Sequence, residues 1–163
     1  MMQQPMVAVI GAGTASERGC RTAEALGQRL AALGLVLVCG GRGGIMEAAA
    51  RGCRQSVGEV VGILPGSEAS EANPWVSLAI PTGLGHARNV LVVQSARAVI
   101  AVEGEYGTLS EIAIACKLGR PVFALNSWSQ VPGVRVVASV DEAIQGLCGV
   151  LGLSCENNEG ERR

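Results

Sequence analysis

The sequence predicts an α/β protein with a Rossmann-like, doubly wound and mainly parallel sheet that carries helices on both faces. Short runs of Val, Ile and Leu alternate along the chain with longer amphipathic segments. Such continuous apolar strands are typical of parallel sheets that are buried on both faces. The chain has 163 residues, 48% of them hydrophobic, which is enough for one substantial core and gives no reason for two domains.

The first half of the chain reads strand, helix, strand, helix, strand. A glycine turn after the first strand leads to a helix whose predicted start is the capping box Thr14-x-x-Glu17, and Gly34 ends that helix. Glycines follow the second strand, and Pro65-Gly66 closes the third. The predicted strands here are 6–10, 35–39 and 59–64, and the predicted helices are 17–33 and 45–54.

The second half continues the alternation after a polar, irregular segment over 67–76. Gly119 and Pro121 stop the fourth helix, and a second capping box, Ser139-x-x-Glu142, opens the last. The predicted strands are 77–80, 98–102, 121–125 and 134–137, and the predicted helices are 87–96, 108–118 and one that starts at 139. The domain therefore spans 1–152, and the polar composition of 153–163 predicts a disordered tail.

Composition excludes several classes of function. The net charge is −1 and the arginines are scattered, whereas binding to nucleic acid requires a concentrated basic face. The apolar runs are strand-sized and the N-terminus lacks the pattern of a signal peptide, so we expect no membrane span and a cytoplasmic location. Six widely spaced cysteines are predicted to be reduced, and a single histidine without a C-x-x-C pair predicts no metal site.

Three glycine-rich loops, at 11–13, 40–44 and 104–107, follow predicted strands. They should gather at the carboxyl edge of the sheet, where open α/β folds bind ligands. The third loop leads directly into a helix, whose first N–H groups lack intrahelical acceptors and can bind a phosphate without any lysine. The alternative for each loop is a tight turn that simply requires glycine.

The common phosphate-binding cofactors fit these loops poorly. Ser16 occupies the third glycine position of a dinucleotide fingerprint, and Cys39-Gly40-Gly41 stands where an NAD site requires an acid. No Gly-Lys-Ser/Thr sequence is present for a P-loop. Lys117, the single lysine, lies within a predicted helix, which argues against a pyridoxal phosphate Schiff base. We therefore expect no required cofactor.

Four motifs in order resemble the LONELY GUY (LOG) superfamily, most closely the branch that contains the molybdenum cofactor carrier proteins. They are Gly40-Gly41-Arg42-Gly43-Gly44-Ile45-Met46-Glu47-Ala48, Gly62-Ile63-Leu64-Pro65-Gly66, Thr82-Gly83-x-x-x-Ala87-Arg88-Asn89 and Tyr106-Gly107-Thr108-Leu109-Ser110-Glu111. The resemblance implies a Rossmann-like fold that assembles as a homodimer or a higher homo-oligomer. Many enzymes of this superfamily cleave the N-glycosidic bond of nucleoside 5′-monophosphates. Lys117, as the single lysine, gives no support to the lysine decarboxylase activity in older names of the family.

The family's phosphate motif, Pro-Gly-Gly-x-Gly-Thr-x-x-Glu, falls on 103–111. Gly104, Gly107, Thr108 and Glu111 agree with it, whereas Glu103 and Glu105 replace proline and glycine. A carboxylate at 105 would repel a phosphate by about 1 kcal/mol at ~4 Å in a water-filled site. Either Glu105 points to solvent or the ligand is held differently.

The resemblance implies two catalytic residues. Glu111 would bind ribose and stabilise the oxocarbenium-like transition state or orient water, and Arg88 would hold the ligand and the leaving base. Thr108 and the amides from Gly107 to Leu109 would bind the phosphate, with a second anion contact at Gly43 and Gly44. The expected ligand-binding residues are Gly11, Gly13, Gly40, Gly41, Gly43, Gly44, Met46, Asn89, Gly104, Gly107, Thr108 and Leu109.

Simpler interpretations stand beside these roles. Thr108-x-x-Glu111 is also the spacing of a capping box, so both residues could only cap a helix. Met46 could belong to the core, Arg88 and Asn89 could be solvated residues at a helix start, and Arg42 could be an exposed loop arginine. His86 has no evident base or metal partner, which favours a hydrogen-bonding role at the surface or in a pocket.

Two functions follow from the sequence. One is a phosphoribohydrolase that acts on nucleoside 5′-monophosphates. The other is a non-catalytic carrier that binds molybdenum cofactor, or a related phosphorylated heterocycle, as cargo. A role in DNA processing is set aside because no basic surface is predicted.

Overall fold

The computed structural model describes residues 3–155 and contains one seven-stranded parallel sheet in the order β4-β3-β2-β1-β5-β6-β7. The predicted fold class is confirmed. The strands are β1 (Met6–Gly11), β2 (Val36–Cys39), β3 (Val60–Leu64), β4 (Leu78–Pro81), β5 (Ala98–Val102), β6 (Val122–Leu125) and β7 (Arg135–Val136).

Within residues 3–155, five α-helices cover the two faces of the sheet. They are α1 (Glu17–Ala32), α2 (Ile45–Gln55), α3 (Arg88–Ser95), α4 (Tyr106–Lys117) and α5 (Val140–Leu151), and two short 3₁₀ helices lie at Ala69–Glu71 and Gly85–Ala87. Side chains alternate along each strand, so Val7 and Val9 pack with α1, α2 and α5, while Ala8 and Ile10 pack with α3 and α4. The core is therefore divided into two apolar layers by the sheet.

The strand order reverses at β1, which pairs with β2 on one side and with β5 on the other. Helices leave this point toward opposite faces, because α1 follows β1 on one face and α4 follows β5 on the other. Such a reversal opens a crevice at the carboxyl ends of the two central strands. The glycine loops predicted at 11–13 and 104–107 lie beside this crevice.

Two helix starts differ from the prediction. The N-cap of α1 is Ser16, whose hydroxyl accepts the N–H of Gly19 at 2.9 Å, so the capping box that starts at Thr14 is wrong. Helix α4 begins at Tyr106, two residues before the predicted start. The Ser139 cap of α5 is confirmed, because its hydroxyl accepts the N–H of Glu142 at 3.1 Å.

The prediction that all six cysteines are reduced is wrong for one pair. The chain turns back at Gly152, whose φ is 67°, and brings Cys155 to Cys148 on α5, where the two form a disulfide with a Cα–Cα distance of 6.1 Å. The other four cysteines are free thiols, and burial raises the pKa of Cys39 and Cys53 to about 11. Because disulfides are rare in a reducing cytosol, this pair weakens the argument for a cytoplasmic location, which stays a prediction.

The predicted C-terminal tail is described only in its first residues. Leu153 and Cys155 pack against the core beside α5. The remainder of the predicted tail, 156–163, lies outside the described residues. Across residues 3–155 no helix combines the length and the apolar character that a membrane span needs.

Candidate functional site

A cavity of about 410 Å³ lies in the crevice between the ends of β1 and β5. It is enclosed by the β1–α1 loop, the start of α2, the residues around the start of α3, and the first turns of α4. Its lining residues are Gly11, Ala12, Gly13, Thr14, Met46, His86, Arg88, Asn89, Glu105, Gly107, Thr108 and Glu111.

The N-terminus of α4 supplies backbone donors to this cavity. Because α4 begins at Tyr106, the N–H groups of Tyr106, Gly107 and Thr108 have no intrahelical acceptor. The N–H of Leu109 already donates to the carbonyl of Glu105 at 2.9 Å, so the structure does not offer Leu109 as the phosphate donor that was expected. The helix dipole adds about half a positive charge at this end. The first turn of α4 can therefore bind an anion.

Glu111 is a buried carboxylic acid at the base of the cavity, with 8% of its surface exposed. It lies well inside α4, which starts five residues earlier, so the capping-box interpretation of Thr108 and Glu111 is wrong. Burial raises the pKa of Glu111 to about 7, and the positive charge of Arg88 opposes that rise. A carboxyl group poised near neutrality in a cavity is typical of functional sites.

Arg88 places a guanidinium beside Glu111 without forming an ion pair with it among the described residues. Its Nη1 donates to Asn89 Oδ1, its Nη2 donates to the carbonyl of Gly40 at 3.5 Å, and its buried Nε has no hydrogen-bond partner within residues 3–155. Burial lowers the pKa of Arg88, and the carboxylate of Glu111 opposes that shift. Because Arg88 lines the cavity, its guanidinium can contact a ligand that is bound there.

The glycines of the second loop lie behind the cavity rather than in its wall. A Cβ at Gly40 would come within 2.7 Å of Arg88 Nη2 and 2.8 Å of Met46 Sδ, so glycine lets both side chains reach the cavity. Gly44 has φ of 66°, and a Cβ there would overlap the carbonyl of Ala12, to which Ile45 N–H donates at 2.9 Å. The structure therefore does not bring Gly40, Gly41, Gly43 and Gly44 into the cavity wall.

Gly104 also supports the cavity from behind. Its φ is 105°, and a Cβ at this position would overlap the side chain of Thr108. Glycine at this position therefore lets Thr108, which is 3% exposed, pack against the loop while it lines the cavity. This contact explains why a glycine in the loop precedes the threonine of the helix by four residues.

The two acids that depart from the family motif have different surroundings. Glu103, with φ of 54°, turns its carboxylate away to α1, where it accepts the N–H of Ser16 at 3.0 Å and the Ser16 hydroxyl. A Cβ at Gly19 would come within 2.5 Å of that carboxylate, so the small residue makes room for it. Glu105 instead lines the cavity and is exposed. Glu105 therefore combines exposure to solvent with a position beside the candidate ligand site.

The sequence left the roles of Arg42 and His86 open, and in the structure only one of the two lines the cavity. Arg42 forms an ion pair with Glu71 at 3.3 Å and does not line the cavity. His86 is exposed and lines the cavity. Sequence reasoning missed Ala12 and Thr14, although their position in the first glycine loop could have identified them.

A second cavity of about 270 Å³ lies on the other side of Glu103, between α1 and the start of α5. Arg18, Thr22 and Asn126 are among its polar lining residues. None of the predicted site residues contributes to it. The predicted site residues that line a cavity all belong to the first one, and they are Gly11, Gly13, Met46, Arg88, Asn89, Gly107, Thr108 and Glu111.

Comparison with known proteins relates the whole fold to one family. The model of the SLOG cluster4 family matches residues 4–145. An uncharacterized protein of Archaeoglobus fulgidus is 43% identical over 143 residues, which cover 88% of this chain and 94% of that protein. The family match spans the cavity and every element that encloses it.

Two solved structures are similar over nearly their full length. The molybdenum cofactor binding protein of the phototrophic bacterium Rippkaea orientalis is 34% identical with a TM-score of 0.88, covering 93% of this chain and 99% of that one. The Moco carrier protein of Chlamydomonas reinhardtii is 31% identical with a TM-score of 0.85, covering 92% of this chain and 99% of that one.

The buried acid should make the stability of the protein depend on pH. The pKa of Glu111 is about 7 in the folded protein, above its ordinary value of 4.5. The contribution of the protonated Glu111 to the free energy of unfolding is therefore fully present below pH 4.5 and is lost as the pH rises through 7. Above pH 7 the ionised carboxylate therefore costs about 3 kcal/mol. Glu111→Gln should exceed the wild type in unfolding free energy at pH 8 and nearly equal it at pH 4.5, as measured by urea denaturation. The exposed control Glu68→Gln should differ little at either pH, and a Glu111→Gln variant that is less stable at pH 8 would contradict this account.

Glu105 should weaken the binding of anions at the mouth of the cavity. Removing one negative charge about 4 Å from a bound phosphate gains about 1 kcal/mol in a water-filled site. Glu105→Gln is therefore expected to bind AMP about fivefold more tightly in low salt, with a smaller gain in high salt. Isothermal titration calorimetry measures the effect, and Glu68→Gln controls for the change in net charge. Unchanged or weaker binding in Glu105→Gln would show that the carboxylate does not face the phosphate.

Proposed function

The chain belongs to the SLOG cluster4 family of the LOG superfamily, and we propose that it is a non-catalytic carrier of molybdenum cofactor or a related phosphorylated heterocycle. The observation that carries this proposal is that the free N–H groups of α4 and the side chain of Arg88 meet around one cavity. The first can bind a phosphate, and the second can bind a planar heterocycle or a further anion. The cavity volume of about 410 Å³ is within the range that small-molecule sites occupy.

The comparisons support a carrier over an enzyme. The two structures described as molybdenum cofactor binding or carrier proteins align over 92–93% of this chain at 31–34% identity. The alignment therefore includes the loops and helices that enclose the cavity. The acid at 105 is also compatible with a carrier. Its negative charge weakens the binding of an anionic cargo, and a carrier has to release its cargo as well as bind it.

A second candidate function is the phosphoribohydrolase, and Glu111 is the observation that favours it. Its raised pKa, near 7, suits a group that donates or accepts a proton at neutral pH. In this reaction Glu111 would stabilise the oxocarbenium-like transition state or orient water, and Arg88 would hold the ligand. Thr108 and the first amides of α4 would hold the 5′-phosphate.

We also propose that the protein is a homodimer. Five exposed apolar side chains, which we name the dimer face, lie on the α3 side of the sheet. They are Leu78, Ile80, Leu84, Val90 and Leu91. The side chains from β4 share this side because Leu78 and Ile80 pair with Val61 and Ile63, which pack with α3.

The chemistry of the dimer face favours a second copy as its occupant. Helix α3 has one charged residue, the half-buried Arg88, whereas α1 carries Glu17, Arg21, Glu24 and Arg29. An apolar surface without charge is compatible with its own copy, as a twofold dimer requires. The dimer would place the copies beside the helix that carries Arg88.

Capture of the cofactor tests the carrier. Purified molybdenum cofactor is mixed with the protein under anoxic conditions, and the molybdenum and pterin that co-elute in gel filtration are measured. The wild type should retain and protect the cofactor, Arg88→Ala should retain about tenfold less, and the exposed control Arg97→Ala should match the wild type. In parallel, AMP and other nucleoside monophosphates are assayed for released base. No retention together with base release that Glu111→Gln abolishes would overturn the carrier in favour of the hydrolase.

Sedimentation equilibrium tests the dimer. Leu91→Glu places a charge on the dimer face at a position that is already 38% exposed, so it should yield folded monomers. Val136→Glu, at a 61% exposed position on the opposite edge of the sheet, is the matched control and should leave the dimer intact. A wild-type monomer, or a Leu91→Glu dimer of unchanged affinity, would show that this face is not the interface.

A further inference from the structure

Arg88 is connected to the first turn of α4 by a chain of side-chain hydrogen bonds. Arg88 Nη1 donates to Asn89 Oδ1, and Asn89 Nδ2 donates to Ser110 Oγ at 3.2 Å. The Ser110 hydroxyl in turn donates to the carbonyl of Gly107 at 2.6 Å. Asn89 is 5% exposed and Ser110 is exposed, so this chain runs from the buried part of the α3–α4 layer to its surface. It joins the cationic side chain of the candidate site to the turn that carries the anion-binding amides.

The chemistry of these groups permits one orientation of the network. A guanidinium can only donate, so the Asn89 atom that faces Arg88 must be the oxygen. The Ser110 hydroxyl uses its single proton on Gly107, so it must accept from the Asn89 amide. Aspartate at position 89 would keep the acceptor but lose the donor, and an apolar residue would lose both.

Arg88 needs this support because its other contacts are weak. The bond from Nη2 to the carbonyl of Gly40 spans 3.5 Å, and the buried Nε has no partner in the described part of the chain. The Glu111 carboxylate attracts the guanidinium, yet the two form no ion pair among the described residues. Asn89 therefore supplies the contact that keeps the guanidinium from pairing with Glu111. An Arg88–Glu111 ion pair would neutralise the charge that a bound anion requires.

We propose that Asn89 and Ser110 are positioning residues, which hold the Arg88 guanidinium at the cavity and couple it to the first turn of α4. Asn89 lines the cavity and would in addition act on the ligand through Arg88. Ser110 is an exposed residue that does not line the cavity, and its hydroxyl would serve the site only through Asn89 and Gly107. This inference rests on the proposed function, in which Arg88 binds a phosphorylated ligand.

Binding of AMP and titration of Glu111 together test the proposal. In Asn89→Leu the released guanidinium moves toward Glu111, so AMP affinity should fall at least tenfold. The pKa of Glu111, followed by carbon NMR of its carboxyl group, should drop by about one pH unit because a closer cation favours the charged form. Ser110→Ala should lower AMP affinity by about threefold to tenfold. Ser110→Thr, which keeps the hydroxyl at an exposed position, should restore it.

The two readouts separate positioning from simple packing. A folded Asn89→Leu protein with wild-type AMP affinity and an unchanged Glu111 titration would overturn the proposal, as would a Ser110→Ala protein that equals the wild type in both. If Asn89→Leu does not fold, Ser110→Ala and Ser110→Thr decide the matter, because Ser110 is exposed. If the wild type binds no AMP, the phosphate-binding function fails, yet the NMR titration of Glu111 in the variants still tests whether Asn89 and Ser110 hold Arg88.

Discussion

Close approach of backbone segments at the carboxyl ends of β1, β2 and β5 is the constraint on which this structure depends. A Cβ at Gly11 would overlap the carbonyl of Val102, and one at Gly44 would overlap the carbonyl of Ala12. Gly104 is likewise required by the side chain of Thr108. Because these contacts bring the loops together where the strand order reverses, the helix termini and side chains that follow them meet around one cavity.

The cavity brings groups of positive and negative charge close together. One guanidinium and one helix N-terminus face a buried acid with a pKa near 7 and an exposed acid at the mouth. The buried acid reduces stability at neutral pH, a cost that proteins tolerate where function requires it. A hydrolase would use Glu111 to exchange a proton with the substrate or water. A carrier would use the opposite charges of Arg88 and the two acids to bind its cargo reversibly. The same residues therefore serve both candidate functions, and the chemistry of the ligand separates them.

The fold could be predicted because its signals are local. Most strands are apolar runs, and α1, α2 and α5 begin at a serine or glycine cap, so period and turn chemistry locate most of the elements. Features that depend on distant partners could not be predicted in this way. Glu103 reaches the start of α1, which lies 87 residues away in sequence, and Cys155 meets Cys148 only because Gly152 turns the chain back. The cavity residues on strand ends were found, but the supporting role of Gly40 requires knowing that Arg88 packs on it.

A crystal structure of the protein with bound AMP tests the central claim most directly. The account predicts that the phosphate lies at the first turn of α4, with its oxygens within hydrogen-bond distance of the N–H groups of Gly107 and Thr108, and with Arg88 in contact with the ligand. A phosphate bound away from α4, for example in the second cavity beside Arg18, would contradict the claim that this helix terminus and Arg88 form the ligand site.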